Sequence, residues 1–191
     1  MGPFESVVNA SWASQAELDR SVGLVIKGDW NYRFKYFLRV QKPGIGLELQ
    51  NITWAVGPFG DVVSYGNDYA YLSWYSAGCV NWSLNKPITD VPIIPDRVNT
   101  MYIKKNILAG LKQLLPSIGL INPTKDNIEV RGGIIVGNGK TDIYDPYSGL
   151  HQRDNIGVVT HGGYHSISSG KLTTAPMVGF QAASAVLSGV V

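Results

Sequence analysis

The chain has 191 residues, 45% of them hydrophobic and 16% charged, a balance typical of one folded domain or of one domain with part of another. Its net charge is +2 and it has no basic run, which argues against nucleic acid as the main partner because phosphate binding needs clustered Lys and Arg. The single cysteine, Cys79, excludes an internal disulfide and a cysteine-based zinc site. No apolar run reaches the ~20 residues that span a bilayer, and no signal peptide is recognised, so we expect a cytoplasmic protein.

The first elements along the chain are short. A β-branched stretch predicts a strand over 6–11, and a helix follows over 14–21, with Ser14 as N-cap and Glu17 as its capping-box partner. From 32 to 40, aromatic and aliphatic residues alternate with polar ones. This period of two predicts a half-buried strand with one cationic face.

The middle of the chain continues as strands and then becomes helical. Strands are predicted over 52–56, 62–65 and 69–75, and Gly66-Asn67-Asp68 forms the last turn, so that 32–75 reads as an antiparallel meander. Three prolines predict an irregular crossover over 85–98. Apolar residues at three- and four-residue spacing predict an amphipathic helix over 99–115.

The last third contains a buried strand over 128–136, a short strand over 156–160 and a helix over about 171–188. We therefore predict an α+β protein, in which a mixed or antiparallel sheet of about 5–8 strands is covered by the long helix and the C-terminal helix.

The most informative segment is 163–176, which carries Gly170-Lys171-Leu172-Thr173-Thr174 before the last helix. The first N–H groups of a helix lack partners and its dipole favours negative charge, so such a start suits an anionic or polarisable ligand. Lys171 adds a cation there, and Thr173 and Thr174 add hydroxyls. The plainer interpretations are a solvated lysine and simple capping by the threonines.

Other motifs fail on their spacing. A P-loop needs a glycine five residues before its Gly-Lys pair and Ser or Thr directly after it. Gly139-Lys140-Thr141 has Ile134 in place of that glycine. Gly170-Lys171 has His165 there and is followed by Leu172. Neither a Gly-x-Gly-x-x-Gly fingerprint nor a G-x-S-x-G elbow is present. The histidines lack metal-ligand spacing, so no metal is predicted. They are His151, His161 and His165.

Segment 163–176 resembles the C-terminal flavin-contacting segment of FAD-dependent oxidoreductases of the D-amino-acid oxidase and glycerol-3-phosphate dehydrogenase type. In that family a Gly-Lys-x-Thr-Thr run opens the last helix beside the isoalloxazine ring. The strand and small residues at 7–12 are similar to the segment by which the family's chain returns to its FAD domain. The family's opening strand, Gly-x-Gly-x-x-Gly turn and helix have no counterpart here. Further similar stretches, in family order, are 57–62, 71–75, 114–116 and 131–133.

The resemblance implies a fragment of an FAD-dependent oxidoreductase that moves a hydride from a small amine- or hydroxyl-bearing substrate to FAD. It implies that 1–31 and 128–191 belong to an FAD-binding α/β domain without its N-terminal Rossmann unit, and that 32–127 form a substrate-binding domain. The implied partners are the small-molecule substrate and the missing N-terminal FAD-binding segment. We expect the chain alone to hold FAD poorly and to be inactive.

The resemblance also assigns roles to single residues. His165 and Lys171 are the candidates for catalysis. Arg131, Tyr75 and Trp74 are the candidates for substrate binding; the alternatives are a strand-end salt bridge for the arginine and core packing for the aromatic residues. The candidate cofactor-binding residues are Asn9, Ser11, Trp12, Gly163, Gly170, Lys171, Leu172, Thr173 and Thr174.

Two other functions remain open at the level of sequence. The chain could be a non-enzymatic protein that keeps the fold and binds a polar ligand or a partner without FAD. It could also be a sugar- or nucleotide-modifying enzyme that uses the glycine-rich helix start for phosphate.

Overall fold

Nine strands and four α-helices are defined in the computed structural model, which describes residues 5–25, 28–42, 48–54, 57, 59–151, 156–168 and 174–189. The strands are β1 (Val7–Asn9), β2 (Trp30–Gln41), β3 (Ile52–Thr53), β4 (Gly60–Tyr65), β5 (Tyr69–Trp74), β6 (Cys79–Leu84), β7 (Ile128–Asn138), β8 (Gly157–His161) and β9 (Tyr164–Ser168). The helices are α1 (Gln15–Ser21), α2 (Tyr75–Gly78), α3 (Arg97–Leu114) and α4 (Ala175–Ser188). The protein is therefore an α+β protein.

These elements form two compact units. The first unit comprises 1–31, 136–142 and 147–191, and the second comprises 32–135 and 143–146. Both β2 and β7 have residues in each unit.

The first unit contains a mixed sheet of three strands in the order β1-β9-β8. β1 runs parallel to β9, and β9 runs antiparallel to β8. The β8–β9 turn contains Gly162, whose φ of +58° lies in the left-handed region that glycine adopts without steric cost. α4 packs against β8 and β9, and it buries Val178 and Ala182.

The second unit contains an antiparallel meander, in which β3, β4, β5 and β2 are neighbours. β6 and β7 also pair with β2. Leu72 on β5 lies opposite both Leu38 on β2 and Val62 on β4, and all three side chains are buried. α3 packs against β5, where Gly110 lets the helix approach the indole of Trp74.

Most predicted elements are present with shifted ends. The long helix begins two residues earlier than expected, because the Asp96 Oδ1 accepts a hydrogen bond from the N–H of Asn99 at 2.9 Å and caps it. The first helix is also present, but Ser14 makes no side-chain capping bond. β6 was not predicted, since its residues lack a regular alternation of apolar and polar types.

The prediction of one sheet covered by two helices is wrong. The described residues form two sheets, and each of the two long helices packs on a different one: α3 on the antiparallel sheet and α4 on the three-stranded sheet. Strand patterns reveal which faces are buried and leave open which strands pair, so the periodicity of the sequence did not distinguish one sheet from two.

Candidate functional site

The parallel pair β1–β9 brings together two segments with predicted cofactor residues. Val7, Val8 and Asn9 lie opposite Tyr164, His165 and Ser166 in register. Parallel strands have their carboxyl ends at the same end of the sheet. The carboxyl ends of β1 and β9, at Asn9 and Ser168, therefore lie at the same end of the three-stranded sheet.

A buried polar network holds this pair against α1. The Asp19 side chain is only 2% exposed. Its Oδ1 accepts hydrogen bonds from Tyr164 Oη at 2.8 Å and Asn9 Nδ2 at 2.9 Å, and its Oδ2 accepts one from Ser166 Oγ at 2.9 Å. Gln15 Nε2 donates to Ser166 Oγ at 2.9 Å. A buried carboxylate is tolerated where donors surround it, so this network fixes α1 on the sheet.

The network also changes the acidity of Tyr164. Burial raises the pKa of this phenol, and the hydrogen bond to Asp19 and the charge of its carboxylate raise it further, to about 12. Tyr164 is therefore a neutral hydrogen-bond donor at physiological pH. Asp19 and Tyr164 were not among the predicted site residues. A sequence signal for Asp19 is that it shares a helix face with Gln15, four residues before it, beside the small Ala16.

The connection after β1 contains three of the predicted cofactor residues. Asn9 is buried, and its Oδ1 accepts hydrogen bonds from Ser11 N at 3.1 Å and Ser11 Oγ at 2.6 Å. Ser11 itself is exposed. Trp12 has a φ of +54°, a left-handed conformation that costs a bulky residue of order 1–3 kcal/mol. The side chain of Asn9 thus shapes a tight connection that presents Ser11 and Trp12 at the surface.

A cavity of about 790 Å³ opens beside β1 in the first unit. Its lining is mostly aliphatic, with a few polar groups from Asn9, Ser11, Ser21, His161 and Tyr164. The aliphatic lining residues are Val7, Val8, Ala10, Leu18 and Val22. Both the volume and the mixture of many apolar and few polar groups are typical of a binding site.

His165, one of the two candidates for catalysis, lies on β9 and is buried. Its ring is 1% exposed, its Nδ1 lies 3.0 Å from Thr160 Oγ1, and its Nε2 has no hydrogen-bond partner among the described residues. Tyr164, its neighbour, lines the cavity and His165 does not. Side chains alternate across a strand. His165 therefore lies on the sheet face opposite to the phenol of Tyr164.

Gly163 is required by packing within the strand pair. Its carbonyl accepts a hydrogen bond from Val7 N at 2.8 Å, and a Cβ at this position would collide with the carbonyl of Glu5. Gly170, Lys171, Leu172 and Thr173 lie outside the described residues. Thr174 is the N-cap of α4 and makes no side-chain capping bond, and Pro176 lies in the first turn of this helix.

The three candidate substrate residues lie in the second unit. Arg131 is exposed, and both its Nε and its Nη2 contact Glu129 Oε2, at 3.0 and 2.9 Å. Trp74 packs against Gly110, and its ring centroid lies 5.8 Å from that of Phe59. Tyr75 is buried. The salt bridge given above as the alternative for Arg131 is present, and its partner is Glu129, two residues away on β7.

Two classes of site find no counterpart in the described part of the chain. There, no group of three or more His, Cys, Asp or Glu side chains could hold a metal ion. The helices defined in those same residues are too short or too polar to cross a membrane.

Comparison with known proteins gives one distant likeness. No family model and no curated protein sequence matches the chain. Among solved structures, the FAD dependent oxidoreductase PA4991 from Pseudomonas aeruginosa is similar over 96% of this chain, with 14% sequence identity and a TM-score of 0.49. The chain spans 45% of the length of that oxidoreductase.

Proposed function

We propose that this chain is part of an FAD-dependent oxidoreductase and contributes the surface that meets the flavin ring. The observation that carries this proposal is the parallel pairing of β1 with β9. It places the carboxyl ends of both strands at one end of a sheet, and the sequences that follow these ends resemble flavin-contacting segments. Ligands of α/β sheets bind at such carboxyl ends.

The residues at this end of the sheet fit a flat ring system. Ala10 and Ser11 are small and exposed, and the hydrogen bonds from Ser11 to Asn9 fix the connection in place. Bound FAD would supply the hydride acceptor. The chain's own contribution would be to orient the ring against the backbone of 10–12, and N–H groups near the start of α4 would stabilise negative charge on it.

The mostly aliphatic cavity beside β1 is the proposed binding place of a further FAD-binding segment. β1 is a terminal strand in its sheet, only three residues long, with Val7 and Val8 exposed. An open strand edge next to an apolar groove accepts an added strand through main-chain hydrogen bonds. That segment would hold the ADP half of FAD, as the family resemblance implies.

A comparison of flavin fragments tests this division of the cofactor. We expect riboflavin and FAD to bind the chain with similar, weak affinity, and ADP not to compete, because only the ring would meet this chain. Fluorescence titration measures all three. Ala10→Phe places a bulky ring at this end of the sheet and should abolish the binding of riboflavin and FAD. Ala183→Phe, on the exposed side of α4, is the control and should leave their binding unchanged.

Two outcomes would contradict the proposal. Tight FAD binding that ADP displaces would mean that the chain already holds the ADP half. Absence of riboflavin binding to the unmodified chain would remove the ring site and favour the non-enzymatic binding protein.

A further inference from the structure

The last helix has an apolar face on the side away from its sheet. α4 packs against β8 and β9 and buries Val178 and Ala182. Met177, Phe180 and Leu187 are 46%, 75% and 72% exposed. With about 3.6 residues per turn, these three side chains lie on the other side of the helix from the two buried ones. Apolar residues therefore occupy both sides of α4.

The composition of α4 is unusual for a helix face that remains in water. Its 14 residues, Ala175–Ser188, include no Asp, Glu, Lys, Arg or His. Solvated helix faces carry charged and polar residues, and helices that are apolar on all sides are buried. Helices that lie on membrane surfaces carry Lys and Arg on their polar face, and α4 has neither. The exposed face therefore indicates contact with another polypeptide.

The spacing of the exposed residues matches the seam between two helices. Met177, Phe180, Ser184 and Leu187 follow one another at intervals of three, four and three residues, and all four are exposed. These are the intervals between the a and d positions of paired helices. They form a stripe narrower than the face by which a helix covers a sheet. The partner whose shape fits this stripe is a second α-helix.

We propose that α4 binds α4 of a second copy of this chain, with the two helices antiparallel about a twofold axis. An axis at the level of Ala182 places Phe180 opposite Ser184 of the second copy. It also places Met177 opposite Leu187 of the second copy. Each large ring then faces a small side chain, so the seam fills without a clash. This self-complementarity selects a second copy among the possible helical partners.

The parallel arrangement of the same two helices fits less well. It would place Phe180 against Phe180 and Ser184 against Ser184, which crowds one layer and leaves a gap in the next. Antiparallel helices also bring opposite ends of their dipoles together. The stripe therefore predicts the orientation of the pair as well as its partner.

The dimer should be weak and should depend on concentration. A single pair of short helices buries about 1,000 Å² in total or less, which is the size of transient interfaces. The contact lies on the outer side of α4 and does not depend on the flavin proposal. Monomer and dimer should therefore exchange in solution whether or not a flavin is bound.

Sedimentation equilibrium over a series of concentrations tests the dimer, and an exchange of two side chains tests its register. Phe180→Ser should weaken dimerisation by about 30-fold, because it removes the central aromatic side chain of each copy. Ser184→Phe should also weaken it, because two phenylalanine rings would then compete for one position. The double variant Phe180→Ser/Ser184→Phe should restore dimerisation, since each large side chain again faces a small one.

Tyr102→Ser is the matched control, because it removes an exposed aromatic side chain from α3 and should leave dimerisation unchanged. A chain that stays monomeric at every concentration would overturn the proposal, and its binding to phosphatidylcholine vesicles would assign the face to lipid. A dimer that Phe180→Ser does not weaken would overturn the site on α4. A double variant that dimerises no better than Ser184→Phe would overturn the antiparallel register.

Discussion

At the scale of single residues, the first unit depends on one buried carboxylate. Asp19 on α1 accepts hydrogen bonds from Asn9 on β1 and from Tyr164 and Ser166 on β9, so it links three elements. Hydrogen bonds to a charged group stabilise a fold by about 1.5–3 kcal/mol, and a buried donor left without its acceptor costs a similar amount. The network is therefore able to hold α1 on a sheet that has three strands in the described part of the chain.

Tyr164 should make the stability of the first unit sensitive to alkaline pH. Its pKa of about 12 in the folded chain lies above the ordinary 10.0, so the neutral phenol stabilises the fold. This contribution is complete below pH 10 and is lost as the pH rises through about 12. Tyr164→Phe should be less stable than the unmodified chain at neutral pH, and the difference should shrink across this interval.

Denaturant unfolding at a series of pH values measures this difference. Tyr102→Phe, which changes an exposed tyrosine on α3, is the control and should show no such convergence. A constant gap between Tyr164→Phe and the unmodified chain up to pH 12 would contradict the role given to this phenol.

At the scale of elements, a glycine in each of the two long helices has different surroundings. α3 carries Gly110 directly over the indole of Trp74, which a Cβ would strike. α4 carries Gly179 in open space, with nothing within 4 Å of the place of a Cβ. The same residue type is therefore required by packing in one helix and merely tolerated in the other.

Substitution of these two glycines by alanine should have opposite effects. Gly179→Ala should stabilise the chain by about 1 kcal/mol, because alanine restricts the unfolded chain and favours helix. Gly110→Ala gains the same propensity but pushes the rigid Trp74 ring away from α3, and overpacking costs about 1–3 kcal/mol. Thermal unfolding of both variants measures the difference; a stabilised Gly110→Ala would show that α3 has room to move.

At the scale of the whole molecule, each unit buries its own core, and the first leaves an apolar edge open. Val7, Val8, Leu18 and Val22 are all more than a third exposed, and all line the cavity beside β1. A contiguous apolar surface at a strand edge marks a place of association or of aggregation. This edge is the one to which we assign the further FAD-binding segment.

A charge at this edge should suppress self-association of the chain. Val8→Lys places a lysine on the open edge of β1, where Val8 is 44% exposed, and should reduce light scattering in concentrated solution without loss of thermal stability. Leu120→Lys removes an exposed aliphatic side chain elsewhere and should have little effect. Equal behaviour of the two variants would show that the β1 edge has no special tendency to associate.

The sequence by itself determined the elements whose pattern is local. The alternation from Tyr32 to Val40 predicted β2 with its buried apolar face, and three- and four-residue spacing predicted α3 within two residues of its ends. Burial of one face imposes these periods on neighbouring residues, so they can be read from a short window. The α+β class followed from the same patterns.

Only the tertiary structure determined the contacts between residues that are far apart in the sequence. Asn9 donates a hydrogen bond to Tyr164, which is 155 positions away. The parallel pairing of β1 with β9 cannot be predicted from a short stretch of sequence. The same holds for Arg33, which was predicted to lie on a half-buried cationic face but is buried without a carboxylate partner among the described residues. Pairing and charge balance depend on which elements meet, and that is fixed by packing over the whole chain.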